Sequence, residues 1–495
     1  MEWVFAVVLA IRLVNVFTLK TFFQPDEFYQ SLEVAHRLIF GYGYETWEWK
    51  EGLRSSLHPL IYAVGYYLTR YLGENWVYVG PKVINAVLAA IGETYMYIFA
   101  TRYSNNRQIG KITLMLSIFN PFNWYVITRS FSNNLEMILT CIALAYWPWR
   151  SRKPIYLSCF FAFLSCIIRP TTAIIWLILG IYHLTGLKGQ EIFKTSAILM
   201  VELSGLLGVE TLCNYKFYGY WTFPLYNFIQ FNIIKKLSIF YGSSPWHFHI
   251  FQSLPIILMI YLPFFLHAVY KFKTYKQILG ITCMGTITVF SMVSHKEFRF
   301  IYPLMPILLL ITAQSVNFLI NTNKIGKKVM VCLTVINLFI SYFFSQINEK
   351  GVIEVIDYLG ETNENFGLLM PCHSTPWQSQ LHDETFESSW FITCEPPLHL
   401  KSSDDINAYR DESDQLFDNP SLFIQKNFPY SINDPQGNFK YEWPQRLVIF
   451  EAFDEIKPIL EHKGYQPCKT FFNSYFHWDD RRRGDLIIYC KPTSY

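Results

Sequence analysis

The chain has 495 residues, of which 52% are hydrophobic, 18% aromatic and only 16% charged. Because soluble domains carry about 25% charged residues, this composition excludes a disordered protein and argues against an ordinary soluble enzyme. The net charge of +3 excludes a strongly basic nucleic-acid binder, so we predict no nucleic-acid partner.

The charge is divided unevenly along the chain. Residues 350–495 hold 23 acidic and 13 basic side chains, whereas residues 1–349 hold 15 acidic and 28 basic ones. We therefore predict two domains, a basic and apolar membrane module over residues 1–349 and an acidic, water-soluble domain over residues 350–495.

Eleven apolar runs in the first domain have roughly the length that crosses the ~30 Å hydrocarbon core of a bilayer. They are residues 3–22, 81–101, 112–128, 134–149, 154–168, 171–186, 195–214, 250–270, 277–294, 301–319 and 329–346. The first run lacks a basic start and a small-residue cleavage site, so we interpret it as a retained anchor. Its Arg12 and Lys20 then need shielding by other helices.

The loops that follow the second, fourth, sixth, eighth and tenth apolar runs are basic. This bias predicts that these loops and the N-terminus face the cytosol. Their basic residues are Arg102, Arg107, Lys111, Arg150, Arg152, Lys153, Lys188, Lys194, Lys271, Lys273, Lys276, Lys324, Lys327 and Lys328. The opposite, luminal side then receives loop 24–80, loop 215–249, turn 294–300 and the tail. If the apolar stretch Leu57–Leu72 crossed the membrane, every later loop would change sides and the basic bias would be lost. We therefore predict an interfacial or re-entrant helix there.

The tail has the pattern of a small α+β domain. Its short β-type runs are Phe366–Met370, Arg446–Phe450 and Leu486–Cys490, separated by turns rich in Pro and Asp. In an oxidising lumen its four cysteines predict one or two disulfides, with three full pairings open. These cysteines are Cys372, Cys394, Cys468 and Cys490.

Two adjacent carboxylates, Asp26 and Glu27, follow the first apolar run directly. A carboxylate at the edge of the hydrocarbon has reduced access to water, which raises its pKa and suits a general base. The alternative is a structural role, because acidic residues also favour the first turn of a helix over Phe28–Ile39.

A second charged cluster lies in the short turn between two runs, at His295, Lys296, Glu297 and Arg299. Cations this close together suit a phosphate group, and arginine binds phosphate through two hydrogen bonds. The alternative is attraction to any lipid headgroup. Arg129 and Arg169 are predicted on the same side, where they either serve the site or tie helices together, as do Glu93 and Glu210 within runs.

Other signatures point away from metals and nucleotides. His247 and His249 are candidates for two ligands of a metal ion. No matching second pair of ligands stands out in the sequence, and no CxxC occurs. P-loop, GxGxxG, GxSxG and HExxH fingerprints are absent from the sequence. A carboxylate pair and a cationic cluster on one side of a membrane protein instead favour transfer of a group from a lipid-phosphate donor.

Three blocks of the sequence carry a resemblance to a known family. They are QPDEFYQSLEVAHRLIFGYGYETWEWKEGLRSSLHPL from residue 24, TRSFSNNLE at 128–136 and SHKEFRFIYPLMP at 294–306. In order and spacing they resemble glycosyltransferase family 22, the endoplasmic-reticulum mannosyltransferases that use dolichol-phosphate-mannose. The resemblance covers most of residues 1–345 and implies a polytopic GT-C membrane fold with about eleven transmembrane helices and a C-terminal luminal α+β domain.

Two stretches of the tail narrow the resemblance to one group of enzymes within the family. The stretches LLMPCHSTPWQSQLH at 368–382 and CEPPL at 394–398 resemble members that act on the glycosylphosphatidylinositol (GPI) precursor. This implies an enzyme of the endoplasmic-reticulum membrane that uses dolichol-phosphate-mannose as donor and the GPI glycolipid as acceptor. It would add mannose in α-1,2 linkage to the second mannose, with inversion.

The resemblance also implies roles for the candidate residues. Asp26 matches the catalytic carboxylate of the family, and Glu27 is its supporting neighbour. The donor-phosphate residues would be His295, Lys296 and Arg299, and the supporting residues Glu297, Arg129 and Arg169. Inversion requires a single displacement with one base, and the resemblance implies neither cofactor nor metal, since dolichol-phosphate-mannose is a co-substrate.

Three alternatives stay open. A sister enzyme would add the fourth GPI mannose, or an α-1,2- or α-1,6-mannose of the N-glycan precursor, by the same chemistry. A transporter or flippase is disfavoured by the absence of an internal repeat. A non-catalytic scaffold would tolerate the replacement of Asp26 by Asn.

Overall fold

The computed structural model describes residues 2–73, 76–150, 154–235, 237–362, 364–400, 403–430 and 438–491. Arg152 and Lys153 of the predicted basic loops lie outside them. The chain forms two compact units. The helical unit comprises Met1–Thr18, Glu48–Leu68 and Val79–Tyr342, and the sheet unit comprises Leu19–Trp47, Thr69–Tyr78 and Phe343–Tyr495. The segment that carries Asp26 and Glu27 therefore belongs to the same unit as the tail.

Helices dominate the first 346 residues. They are α1 Glu2–Thr18, α2 Glu33–Phe40, α3 Trp47–Lys50, α4 Leu57–Thr69, α5 Val79–Ser104, α6 Arg107–Ile118, α7 Pro121–Val126, α8 Ser132–Tyr146, α9 Tyr156–Ile168, α10 Ala173–Leu184, α11 Gly189–Tyr218, α12 Pro224–Ile229, α13 Leu254–Leu258, α14 Leu262–Lys271, α15 Ile278–Met292, α16 Met305–Asn321 and α17 Lys327–Gln346.

Five helical segments among the described residues are long and apolar enough to cross a membrane. They are Val79–Ser104, Gly189–Tyr218, His249–Lys271, Phe298–Asn321 and Lys328–Thr362. Shorter apolar helices cover Tyr156–Ile168, Pro170–Leu184 and Ile278–Met292. The helical membrane character of the first domain is thus confirmed, whereas the number of eleven spans stays a prediction.

Two of the predicted apolar runs are interrupted. Run 112–128 breaks between α6 and α7, where the Asn120 side chain accepts a hydrogen bond from the Asn123 backbone N–H at 2.7 Å and Pro121 occupies the first turn of α7. Such a cap with proline behind it starts a new helix. Run 250–270 breaks at Met259, whose φ of +48° ends α13.

A buried ion pair holds α1 within the helical unit. Arg12 Nε donates to Glu93 Oε2 on α5 at 2.8 Å, and neither side chain is exposed to solvent. Glu93 Oε1 also accepts from Ser117 Oγ at 2.6 Å and Asn123 Nδ2 at 3.2 Å. The prediction that other helices shield Arg12 is confirmed, whereas Lys20 lies beyond the end of α1 and is exposed. Glu93 ties four helices together.

Replacing Arg12 by Met should destabilise the helical unit by about 3–5 kcal/mol, because it leaves a buried carboxylate without its cation. Thermal unfolding of the purified protein in detergent measures this effect. The double variant Arg12→Met/Glu93→Leu is the control and should recover most of the loss. An Arg12→Met protein as stable as the wild type would show that the pair contributes nothing.

The described residues of the tail form six further helices and a five-stranded sheet. The helices are α18 Gly351–Thr362, α19 Gln378–Leu381, α20 Ser403–Ala408, α21 Glu412–Asp418, α22 Pro420–Asn427 and α23 Lys457–His462. The strands are β1 Phe366–Leu368, β2 Trp390–Phe391, β3 Arg446–Phe450, β4 Gln466–Phe471 and β5 Leu486–Cys490. Their order is β2-β1-β3-β5-β4, with β1 parallel to β2 and β3, and β5 antiparallel to β3 and β4. The predicted α+β domain is confirmed.

Successive side chains of a strand point to opposite faces of the sheet. The apolar central strands therefore give the sheet two apolar faces. Val448 and Phe450 of β3 lie in one core cluster, whereas Leu447 and Ile449 lie in the other. The first cluster also contains α18 residues together with Phe22, Phe28 and Tyr29. One face of the sheet is thus covered by the chain on either side of Asp26.

All four tail cysteines form disulfides, as predicted. The pairs are Cys372–Cys394 and Cys468–Cys490. Each bridge closes a loop of sequence separation 22, which by chain entropy contributes about 3 kcal/mol.

Candidate functional site

Asp26 and Glu27 lie at the turn where the chain enters α2. The backbone N–H groups of Phe28 and Tyr29 both donate to the Pro25 carbonyl, at 2.9 and 3.0 Å. A π-helical turn, Phe28–Leu32, then leads into α2, and such turns are frequent at functional sites. Glu27 is buried and makes no side-chain capping hydrogen bond within the described chain, whereas Asp26 is half-buried. Of the two carboxylates, Asp26 is the more accessible to a substrate.

Glu33 fixes the loop to the tail. Its Oε1 atom accepts hydrogen bonds from the backbone N–H groups of Trp377 at 2.9 Å and Ser379 at 3.1 Å, and from Ser379 Oγ at 2.6 Å. These donors lie at the start of α19, where a carboxylate satisfies backbone groups that the helix leaves unpaired. Burial raises the pKa of Glu33, although the hydrogen bonds oppose that shift.

Two histidines form a second attachment between the same segments. His36 Nε2 lies 2.8 Å from His382 Nδ1, and the Tyr42 hydroxyl lies 3.2 Å from the same His382 nitrogen. Burial of His36, reinforced by His382, lowers its pKa to about 3. His36 is therefore neutral at physiological pH.

We expect the His36 pair to make the sheet unit sensitive to acid. The ordinary pKa of His36 is 6.5 and its pKa in the folded protein is about 3. The contribution of neutral His36 to the free energy of unfolding is therefore complete above pH 6.5 and declines as the pH falls towards 3. Between pH 6.5 and 5 the loss is about 2 kcal/mol. The raised pKa of Glu33 has the opposite effect, because it makes the folded protein more stable as the pH falls. This effect is common to the wild type and a His36→Gln variant.

Urea unfolding followed by pulse proteolysis at each pH measures this effect. The stability of His36→Gln should fall less than that of the wild type, by about 2 kcal/mol over this interval. Identical pH slopes for the two proteins would contradict the assignment.

The second candidate cluster lies in the helical unit, in the turn after α15. Arg299 donates from Nε and Nη2 to the two oxygens of Glu297, at 2.9 and 3.0 Å. His295 Nε2 lies 3.4 Å from Glu297 Oε1, and Lys296 Nζ donates to the Ser244 carbonyl at 2.7 Å. Burial would raise the pKa of Glu297, but Arg299 and His295 outweigh it, so the carboxyl is held ionised well below its ordinary range.

Arg169 forms a neighbouring charged group. Its Nη1 donates to Ser132 Oγ at 3.0 Å, and its Nε lies 3.3 Å from Glu136 Oε2. Asn133 connects the two groups weakly, since its Nδ2 lies 3.4 Å from both Glu136 Oε2 and the Arg299 carbonyl. The block TRSFSNNLE therefore serves to support the turn that carries Arg299.

Arg129, by contrast, is engaged in its own turn. Its Nε donates to the Tyr125 carbonyl at 2.8 Å, and its guanidinium carbon lies 4.5 Å from the Tyr125 ring centroid. The side chain is 1% exposed. This geometry favours the structural alternative for Arg129.

Sequence reasoning missed Arg54. It lines a cleft with Arg169 and Thr171, its Nη2 donates to Glu48 Oε1 at 2.6 Å, and both Arg54 and Arg299 act electrostatically on Arg169. The available signal was its place, as one of two basic residues, within the aromatic block WEWKEGLRSSLHPL.

One of the two histidines considered for a metal, His249, has another partner. His249 is fully buried, and its Nδ1 lies 2.9 Å from Ser253 Oγ. Within the described residues, the potential metal ligands that cluster in threes are Cys372, His373 and Cys394. The two sulfurs of that cluster are joined to each other in a disulfide and cannot bind a metal as thiolates.

The chain is similar to curated fungal proteins over almost its whole length. It is 49% identical to "GPI mannosyltransferase 3" of Debaryomyces hansenii, covering 99% of this chain and 92% of that protein. The protein of the same name from Candida albicans is 46% identical, with 98% and 97% covered. That from Saccharomyces cerevisiae is 36% identical, with 100% and 96% covered.

A solved structure shares the fold. The crystal structure of ArnT from Cupriavidus metallidurans bound to undecaprenyl phosphate matches with a TM-score of 0.55 at 11% identity, covering 100% of this chain and 98% of ArnT. This likeness shows the fold alone, and it confirms the predicted GT-C architecture.

The family model described as the Alg9-like mannosyltransferase family matches residues 3–382, which include both charged clusters and the tail segment beside Glu33. The chain is therefore a member of the Alg9-like mannosyltransferase family, a multi-pass membrane glycosyltransferase of the GT-C fold.

Proposed function

We propose that this chain is a GPI mannosyltransferase of the endoplasmic reticulum that adds an α-1,2-linked mannose to the second mannose of the GPI precursor, using dolichol-phosphate-mannose. The observation that carries the proposal is the similarity to proteins named GPI mannosyltransferase 3, which extends over at least 92% of the three relatives described above. The active site and sheet unit would face the lumen, as the basic loops predict.

The reaction we propose is a single displacement. The Asp26 carboxylate takes the proton of the acceptor hydroxyl while that oxygen attacks C1 of the donor mannose. The C1–O bond to phosphate breaks, and the electron pair leaves with dolichol phosphate. Because attack and departure occur on opposite faces, the β-linked donor mannose becomes an α-linked product.

The cations of turn 294–300 would hold the phosphate. Lys296 and Arg299 are 6% and 5% exposed, so their charges act in surroundings where water screens them little. Glu297 fixes the Arg299 guanidinium through two hydrogen bonds and is thereby a positioning residue. Phosphate is a good leaving group, and Lys296 and Arg299 would hold it, so we propose that no metal or other cofactor takes part.

Complementation tests the choice of acceptor. Cells that lack the third GPI mannose accumulate a two-mannose precursor, and this chain should restore the three-mannose lipid. If it fails there but rescues cells lacking the fourth GPI mannose or an N-glycan mannosyltransferase, the sister-enzyme alternative replaces the proposal. Rescue of none of these strains by an expressed protein would contradict the activity.

A further inference from the structure

The loop between β4 and β5 exposes three large aromatic side chains within residues 475–478, which we call the aromatic loop. Tyr475, Phe476 and Trp478 are 73%, 58% and 80% exposed. Single apolar side chains are common on protein surfaces, whereas an exposed group of large ones marks an interaction site. The loop contains no lysine, arginine, aspartate or glutamate, so it suits an apolar or interfacial partner rather than a charged one.

The aromatic loop is fixed beside the end of α17, which carries the last of the predicted apolar runs. In the turn after this helix, the Glu349 backbone N–H donates to the Asn473 carbonyl at 2.8 Å. The Phe343 ring centroid, in the last turn of α17, lies 6.3 Å from that of Tyr475 and 6.2 Å from that of Phe476, with 18° between the ring planes in both pairs. The loop therefore extends the apolar surface of the last turn of α17.

The chain that follows the first apolar helix, α1, is bound at the same place. The Lys20 backbone N–H donates to the Ser345 carbonyl at 3.0 Å, and the Phe22 N–H donates to the Glu349 carbonyl at 2.9 Å. These residues belong to the sheet unit, as does the aromatic loop. Because the first and last predicted spans both end here, this end of the sheet unit lies at the level of the bilayer surface. Tryptophan and tyrosine are enriched at that level, where their rings contact lipid and their polar atoms reach headgroups and water.

We propose that the aromatic loop inserts into the interface of the bilayer and thereby attaches the sheet unit to the membrane surface. Lipid is the occupant that the position of the loop favours, since the loop extends the end of one apolar helix and lies beside the chain that leaves another. The attachment does not depend on the proposed reaction, so its test needs no substrate.

A fluorophore sensitive to its surroundings, attached at position 478 of the full chain in lipid nanodiscs, tests the proposal. Trp478→Cys is made in a Cys332→Ser background, because Cys332 is the exposed free cysteine of the described chain, and the background alone serves as the blank. Tyr430→Cys is the matched control. Tyr430 is 91% exposed in the same unit, but it follows Phe428, which packs on the face of the sheet opposite to Phe22.

We expect the emission at position 478 to shift to the blue, to be quenched by lipids brominated near the headgroup and to be protected from iodide in the water. The label at position 430 should instead be quenched by iodide and not by the brominated lipids. Phe476→Cys repeats the measurement at a second position of the loop and should agree with Trp478→Cys.

Two results would overturn the proposal. Quenching by iodide at positions 476 and 478 would show that the loop lies in water. Protection from iodide without quenching by brominated lipid would show that protein covers the loop, either a second copy or another part of the chain.

Discussion

Replacing Asp26 by Asn should lower kcat for mannosyl transfer by about 10²–10⁴-fold, which is the usual contribution of a general base. The amide is nearly isosteric with the carboxylate but cannot accept the acceptor proton. Asp26 is half-buried and lies outside the Glu33 and His36 attachments, so the fold should survive the change.

Glu27→Gln is the matched control for Asp26→Asn. The buried Glu27 is a supporting neighbour in this account, so its variant should retain more activity than Asp26→Asn. Radiolabelled mannose transfer by equal amounts of folded protein compares the two. Full activity of Asp26→Asn would remove Asp26 as the base, and a larger loss in Glu27→Gln would move that role to its neighbour.

Replacing Arg299 by Gln should lower kcat/KM for dolichol-phosphate-mannose by about 10²–10³-fold, as expected when one fixed donor to a developing negative charge is removed. Arg299→Lys should be only partly active, because an ammonium group keeps the charge but not the two parallel hydrogen bonds. Measurement of the rates at varied donor concentration checks both expectations.

Arg299→Gln also leaves Glu297 without its main cation, which lowers stability as well as activity. The double variant Arg299→Gln/Glu297→Gln separates the two effects, because it should recover thermal stability but not transfer. Lys276→Gln removes an exposed positive charge elsewhere in the helical unit and controls for the loss of charge alone. Recovery of transfer in the double variant would show that Arg299 acts only on stability.

Local patterns in the sequence predicted local structure well. The bounds of β3 and β5 agree with the predicted runs, since both strands are continuous apolar segments buried at the centre of the sheet. Strand β4 was missed because it is mostly exposed at the edge and contains Pro467 and Lys469. The interruption of run 112–128 was missed as well, although Asn120 and Pro121 carry the signal for a new helix.

The sites themselves depend on contacts that no local pattern contains. Glu33 and Ser379 are 346 residues apart in the sequence, as are His36 and His382. Arg54 and Arg169 line one cleft although a helix-rich segment separates them. The sequence predicted which charged residues are candidates for the site, but only the tertiary fold shows that the tail holds the loop of Asp26.

Transfer of labelled mannose by the purified chain tests the central claim most directly. We expect dolichol-phosphate-mannose and a two-mannose GPI acceptor to yield a three-mannose lipid whose new residue is released by an α-1,2-specific mannosidase. Transfer from a nucleotide-linked mannose instead, or a product resistant to that mannosidase, would contradict it.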